Sequence, residues 1–113
     1  SFYELVGDVI ESAGGTVVKF IGDSAFVVFP EEDARAGVSA LRELKRQAEE
    51  HFATFGFQSE LTIQAHVGRV TCAKVGTRTD KRLDVFGDAV NFTARLPHNG
   101  FVLSERLKEA ITG

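Results

Sequence analysis

The sequence predicts an α/β sandwich in which helices pack on a sheet around one core. Three observations carry this prediction. Apolar residues recur at helical spacing at the start of the chain and again after Asp33; short β-branched or alternating stretches separate those segments; and Gly or Pro stands at the boundaries. A length of 113 residues fits a single core and a single domain over 1–113.

The opening segment places Phe2, Leu5, Val6, Val9 and Ile10 on one helical face, which predicts a first helix. Gly14-Gly15 ends it, because glycine accepts the left-handed dihedrals of a helix C-terminus. Thr16 to Phe20 and Ala25 to Phe29 are apolar strands about the turn Ile21-Gly22-Asp23, and together they read as a β-hairpin. Pro30 stops the second strand. Asp33 or a neighbouring acid then caps a long helix whose apolar stripe is Ala34, Val38, Leu41, Leu44, Ala48 and Phe52, ended by Gly56.

Leu61, Ile63, Ala65 and Val67 alternate with polar residues, which predicts a half-buried strand bent at Gly68. Val70 to Val75 continues extended, Gly76 to Arg82 reads as a solvated loop, and Leu83 to Phe86 as a short strand. Asp88 to Leu96 is predicted helical, with the Asp88 carboxylate at its positive end. After Pro97 and Gly100, Phe101 to Leu103 is a small strand, and Ser104 caps a last helix containing Leu107, Ala110 and Ile111.

Composition excludes several classes. A net charge of −3 argues against a nucleic-acid binder that relies on bulk positive charge. No apolar run approaches the roughly 18 residues of a membrane helix, and no basic-then-apolar leader opens the chain. The expectation is a cytoplasmic domain without membrane contact. The lone Cys72 excludes an internal disulfide and a Cys-based zinc site; in an extended apolar segment it reads as a small core residue. His51, His66 and His98 lack metal-ligand spacing and read as surface or strand residues. The absence of any Met suggests a piece of a longer or processed chain.

Two junctions carry polar residues that folding alone does not require. In the first, Lys19-Phe20-Ile21-Gly22-Asp23, a lysine interrupts an apolar strand and an acid follows a turn glycine. A structural reading is open: Lys19 faces solvent and Asp23 forms the turn. In the second, Asp84-Val85-Phe86-Gly87-Asp88-Ala89-Val90-Asn91 leads to Arg95, which puts an amide and a guanidinium one turn apart on one helical face. Here too an amphipathic surface helix is an alternative, though Asn is a poor helix-interior residue.

Taken together, the junctions resemble the class III nucleotidyl cyclases, the adenylate and guanylate cyclase catalytic domain. The resemblance spans Gly-Gly before Lys-x-x-Gly-Asp (Gly14 to Asp23), Ile-x-Ala-His-x-Gly (Ile63 to Gly68), Val75-Gly76, Gly-Asp-Ala-Val-Asn (Gly87 to Asn91), and Arg95 four residues later. It implies a ferredoxin-like βαββαβ core with a mostly antiparallel sheet. It also implies a reaction: the ribose 3′-hydroxyl of a nucleoside triphosphate attacks its own α-phosphate, expelling pyrophosphate and closing a 3′,5′-cyclic monophosphate.

By family position, Asp23 is one of two carboxylates that hold two Mg²⁺ or Mn²⁺ ions, Asn91 orients the ribose, and Arg95 stabilises charge on the α-phosphoryl oxygens. Lys19 and Asp84 fall on the base-selecting pair. A Lys donor with an Asp acceptor suits adenine, so the resemblance is to an adenylate cyclase using ATP. It further implies a head-to-tail homodimer with composite active sites, and an attached regulatory domain. The family's first strand, with the other metal-binding Asp, would precede Ser1, and a triphosphate-binding Lys would lie beyond Gly113. The turn after Arg95 is shorter than usual, and Leu83 replaces a frequent aromatic.

Two other functions compete with catalysis: a non-catalytic cyclase-like domain that binds nucleotide or dimerises, and an RNA-binding sheet using Phe20, Phe26 and Phe29. A diguanylate cyclase is disfavoured because Thr16-Val17, not an acidic pair, follows Gly14-Gly15.

Overall fold

A computed structural model describes residues 1–112. Helix α1 (Phe2–Ser12) is followed by β1 (Thr16–Ile21) and β2 (Ser24–Val28), then by a 3₁₀ turn (Glu31–Asp33) leading into α2 (Ala34–Thr54). Beyond it lie β3 (Ile63–Ala65), β4 (Thr71–Gly76), β5 (Lys81–Phe86), α3 (Asp88–Arg95), β6 (Phe101–Leu103) and α4 (Glu105–Thr112). The predicted order of helices and strands is therefore the observed one, and the chain has the mixed α/β architecture read from the sequence.

Helix ends form where the glycines require. After α1, the Gly15 N–H reaches the Ile10 carbonyl at 2.9 Å and the Gly14 N–H the Glu11 carbonyl at 3.1 Å, with Gly14 at φ +88°. This pairing satisfies orphan carbonyls through a left-handed residue. The same arrangement ends α2, where Phe57 and Gly56 donate to Phe52 and Ala53. Asp33 sits at the start of α2, but its side chain makes no cap hydrogen bond, which corrects the capping expectation. The preceding 3₁₀ turn carries the chain into the helix instead, with the Asp33 N–H donating to the Pro30 carbonyl at 2.9 Å. Ser104 does cap α4, its Oγ accepting the Leu107 N–H at 3.1 Å.

The core gathers where three elements meet: Val6 and Ile10 of α1, Leu41 and Leu44 of α2, and Ile63 of β3. The α2 stripe is as expected, with Val38, Leu41, Leu44 and Ala48 buried, and Gly37 and Ala40 buried beside them. Phe29 fills a notch between Gly15 and Gly37. A Cβ on Gly15 would come within 2.6 Å of its ring, and one on Gly37 within 2.9 Å.

The strands pair as three two-stranded ladders among the described residues: β1 with β2 antiparallel, β4 with β5 antiparallel, and β3 with β6 parallel. They do not form the single continuous sheet expected. Strand β1 meets β5 through side chains rather than through a backbone ladder. The predicted strand Leu61–Val67 shortens to Ile63–Ala65 because its partner β6 offers only three residues between Gly100 and Ser104.

The expected loop Gly76–Arg82 also shrinks. Gly76 pairs with Lys81 and Val75 with Arg82, so both basic residues belong to β5. An antiparallel ribbon whose Lys81 and Arg82 end is open to solvent accepts charged side chains, so polarity there does not mean loop. All six residues of β4 are exposed, and Cys72 with them, which corrects its reading as a core residue: nothing among the described residues covers that strand. No helix among the described residues is long and apolar enough to cross a membrane.

Gly68 sets how closely α3 approaches the rest of the chain, since a Cβ there would lie 2.6 Å from Ala89 Cβ. Gly68→Ala is therefore expected to destabilise by about 1–3 kcal/mol through overpacking, lowering the urea midpoint at unchanged m-value. Gly7→Ala in α1, whose new Cβ would meet only the end of Glu11 at 3.9 Å, serves as the control and should be neutral or gain up to about 1 kcal/mol from helix propensity.

Candidate active site

The two hairpins bring together residues far apart in the chain. Lys19 stands in β1, in a register irregularity between Val17 and Lys19, and Asp84 lies in β5 opposite Ala73. Lys19 Nζ lies 3.1 Å from Asp84 Oδ1 and 3.2 Å from Oδ2, across 65 positions of sequence. Asp84 Oδ1 also accepts the Val85 backbone N–H at 2.8 Å. That backbone donor first, and the Lys19 ammonium second, hold the Asp84 carboxyl below its ordinary pKa. Neither side chain is sequestered, with 44% of Lys19 and 23% of Asp84 exposed. An ammonium donor and a carboxylate acceptor thus stand side by side and open to solvent, able to face a planar group that offers the complementary pair.

Asp23 occupies the two-residue turn between β1 and β2, where Ile21 pairs with Ser24. It is exposed and forms no ion pair with another described residue. Asn91 and Arg95 lie on α3, both exposed, with Arg95 in the last turn where a cation complements the helix dipole. Their four-residue spacing puts them on one face. Of the five residues singled out from the sequence, Lys19 and Asp84 are in contact. Asp23 is not joined by a hydrogen bond or ion pair to any of the other four.

Divalent ions need several hard oxygen donors. Asp23 is one such donor, but no three His, Cys, Asp or Glu side chains converge among the described residues. The described residues do not by themselves assemble a metal centre.

Two residues without a predicted site role, Tyr3 and His66, make contacts beside these groups. Tyr3 on α1 packs edge-on against Phe20 at 4.7 Å, and its hydroxyl approaches the Gly22 carbonyl at 3.4 Å, bracing the turn that carries Asp23. Its exposed position on an amphipathic helix is the one available signal. His66 Nδ1 lies 2.7 Å from Ser104 Oγ, and its ring rests 4.3 Å from Phe92 on α3. The alternation around His66 gave no sign of this pairing across 38 positions. His51 and His98 are local: His51 packs on Phe55, and His98 Nε2 lies 3.1 Å from the Ala94 carbonyl. Phe29, half-buried in its glycine notch, is committed to packing and not to stacking on a nucleic acid.

Comparison with known proteins agrees with the resemblance read from the motifs. A curated relative, adenylate cyclase 2 of Rhizobium meliloti (strain 1021), is 27% identical, with 83% of this chain and 28% of the relative covered. The chain therefore spans just over a quarter of that relative's length. Among solved structures, the guanylyl cyclase Cya2 is 25% identical with a TM-score of 0.81, covering 96% of this chain and 62% of its own. A bacterial light-regulated adenylyl cyclase matches in fold at 23% identity and TM-score 0.81, over 96% of this chain and 36% of its own. The adenylyl cyclase CyaB from P. aeruginosa matches in fold at 20% identity and TM-score 0.79, over 98% and 65%. The family model for the adenylate and guanylate cyclase catalytic domain matches residues 1–106, and the chain, with its Lys-x-x-Gly-Asp turn and its Gly-Asp-Ala-Val-Asn helix start in place, belongs to that family.

Proposed function

We propose that this chain is the catalytic domain of an adenylate cyclase, converting ATP to 3′,5′-cyclic AMP and pyrophosphate. The observation that carries the proposal is the juxtaposition of Lys19 and Asp84 at 3.1 Å. Adenine presents N1 as an acceptor and its 6-amino group as a donor. The ammonium and the carboxylate supply the matching donor and acceptor, whereas guanine offers the reverse pattern at those atoms. The likeness to the guanylyl cyclase Cya2 supports a second reading, cyclisation of GTP, which the Lys–Asp pair disfavours.

In this reading Lys19 and Asp84 bind the base, Asn91 orients the ribose, and Arg95 stabilises charge developing on the α-phosphoryl oxygens as the 3′-hydroxyl attacks. The exposed guanidinium and amide, one turn apart on α3, are free to reach a bound nucleotide. Two Mg²⁺ or Mn²⁺ ions, when bound, supply activation of the attacking oxygen and charge neutralisation at the leaving phosphates. Asp23 is one ligand, and a second carboxylate comes from elsewhere in the parent protein. The domain works as a head-to-tail homodimer in the cytoplasm, coupled to an attached regulatory module. Asp23 serves one pocket while Lys19, Asp84, Asn91 and Arg95 of the same chain serve the other.

The full-length protein is expected to form cyclic AMP from ATP with Mg²⁺ or Mn²⁺, and Asp23→Ala to abolish turnover with little change in melting temperature, because an exposed turn carboxylate contributes little to the core. A folded, dimeric full-length protein that made no cyclic AMP with either metal would leave the non-catalytic reading in its place.

Selectivity is tested by Lys19→Glu with Asp84→Cys. The pair should lower ATP use and raise the relative use of GTP, since each unmatched polar partner is worth roughly 1–3 kcal/mol of discrimination. An unchanged ATP to GTP ratio would remove these residues from base selection.

The composite site is tested by mixing Asp23→Ala chains with Arg95→Ala chains of the full-length protein, each inactive alone. One pocket of each mixed dimer collects both lesions and the other has none. Activity should return to at most about one quarter of wild type, if half the dimers are mixed and each keeps one working pocket of two. No recovery, with mixed dimers demonstrated, would mean that each pocket is built from one chain.

A further inference from the structure

Helix α3 carries Asn91 and Arg95 yet has no buried residue of its own. At eight residues it is too short to hold its shape without tertiary contacts, so its orientation is set by what touches it. Two contacts stand out. Gly68 lets Ala89 approach closely at the helix start, and Phe92, adjacent to Asn91 in the chain, lies against the His66 ring at 4.3 Å with the planes 33° apart.

The other side of His66 is anchored. Its Nδ1 lies 2.7 Å from Ser104 Oγ. Ser104 is buried, with its backbone N–H donating to the Ala65 carbonyl at 2.9 Å and its Oγ accepting the Leu107 N–H. These bonds fix Ser104 to the end of β3 and to the start of α4 at once. Beside the ring lies an open hollow edged by Arg69, Asp88 and Arg106, so the hydrogen bond and the aromatic contact locate the imidazole. Few side chains meet both ends. Asn would reach Ser104 but offers no ring to Phe92, and Phe would stack but leave the Ser104 hydroxyl without its partner.

We propose that His66 is a positioning residue: held by Ser104 and stacked on Phe92, it fixes α3 and therefore the face that presents Asn91 and Arg95. What that face does rests on the function proposed above; the clamp itself is a statement about α3 alone. Burial first, and the Arg106 guanidinium second, keep the His66 pKa below its ordinary value. A neutral ring pairs with Ser104 Oγ through Nδ1 in either tautomer, as acceptor or as donor.

The test uses the full-length protein and two independent readouts. By hydrogen exchange, His66→Ala should open the α3 amides at least about tenfold faster while α1 is unchanged, because local opening free energy reports local contacts. In turnover, kcat should fall about tenfold or more with KM within about threefold, since the displaced groups act on the transition state. Unchanged α3 exchange overturns the proposal whatever the activity, and an unchanged kcat in His66→Ala overturns the link to the face that presents Asn91 and Arg95. If the wild type makes no cyclic nucleotide, the function proposal fails and the exchange result still decides the clamp. Should His66→Ala not fold, His66→Asn, which keeps a partner for Ser104 but no ring, and His66→Phe, which keeps the ring but not the hydrogen bond, should each loosen α3. An α3 that stays protected in His66→Asn also overturns the proposal.

Discussion

The contact of α1 and α2 on β3 governs the rest of the molecule. Val6 and Ile10 are fully buried against Leu41, Leu44 and Ile63; the β1–β2 and β3–β6 pairs pack on this cluster, and the β4–β5 pair reaches the rest through β1 and α3. No ladder joins those pairs, so backbone hydrogen bonds do not set their relative positions. Side-chain packing and a few polar contacts do. Phe29 locks the first hairpin to both helices through the notch at Gly15 and Gly37, a fit that leaves no room for a methyl group at either glycine. Lys45 ties α2 to the segment after it, donating to Glu49 and to the Leu61 carbonyl, both at 2.6 Å, while Glu49 accepts the Leu61 N–H.

The candidate site therefore sits on the less buried parts of the fold. Asp23 is on a hairpin turn, Lys19 and Asp84 face each other between two ribbons, and Asn91 and Arg95 are on a short helix without buried residues. Each group is located by a neighbour: Tyr3 at the Asp23 turn, the Val85 N–H at Asp84, and His66 at α3. The arrangement separates rigidity from exposure. Ordered elements carry groups that remain open to solvent.

Exposure on β4 and β5 has a related meaning. Val75, Leu83 and Phe86 stand open on the same ribbon as Cys72, and Phe20 and Ile21 on the facing hairpin. Cys72 reads as core from its apolar neighbours in the sequence, which report that a segment is apolar and not whether anything covers it. The same ambiguity turned the charged residues Lys81 and Arg82 into a supposed loop, although an exposed ribbon accepts them in register opposite Gly76 and Val75.

The sequence by itself determined the order and type of the elements, the helix ends at Gly14 and Gly56, the Ser104 cap, the apolar stripe of α2, and the motif residues of the cyclase family. All of these are short-range: they depend on spacing within a turn or strand, or on one residue's allowed dihedrals. The placing of Asp84 beside Lys19 was legible too, but only through the family motif that numbered it. Tertiary structure alone decided the strand pairing, the shortening of β3, the exposure of Cys72, and the contacts of His66 with Ser104 and Phe92. Each of these depends on which distant segment arrives as a neighbour, and local sequence periodicity carries no information about that arrival.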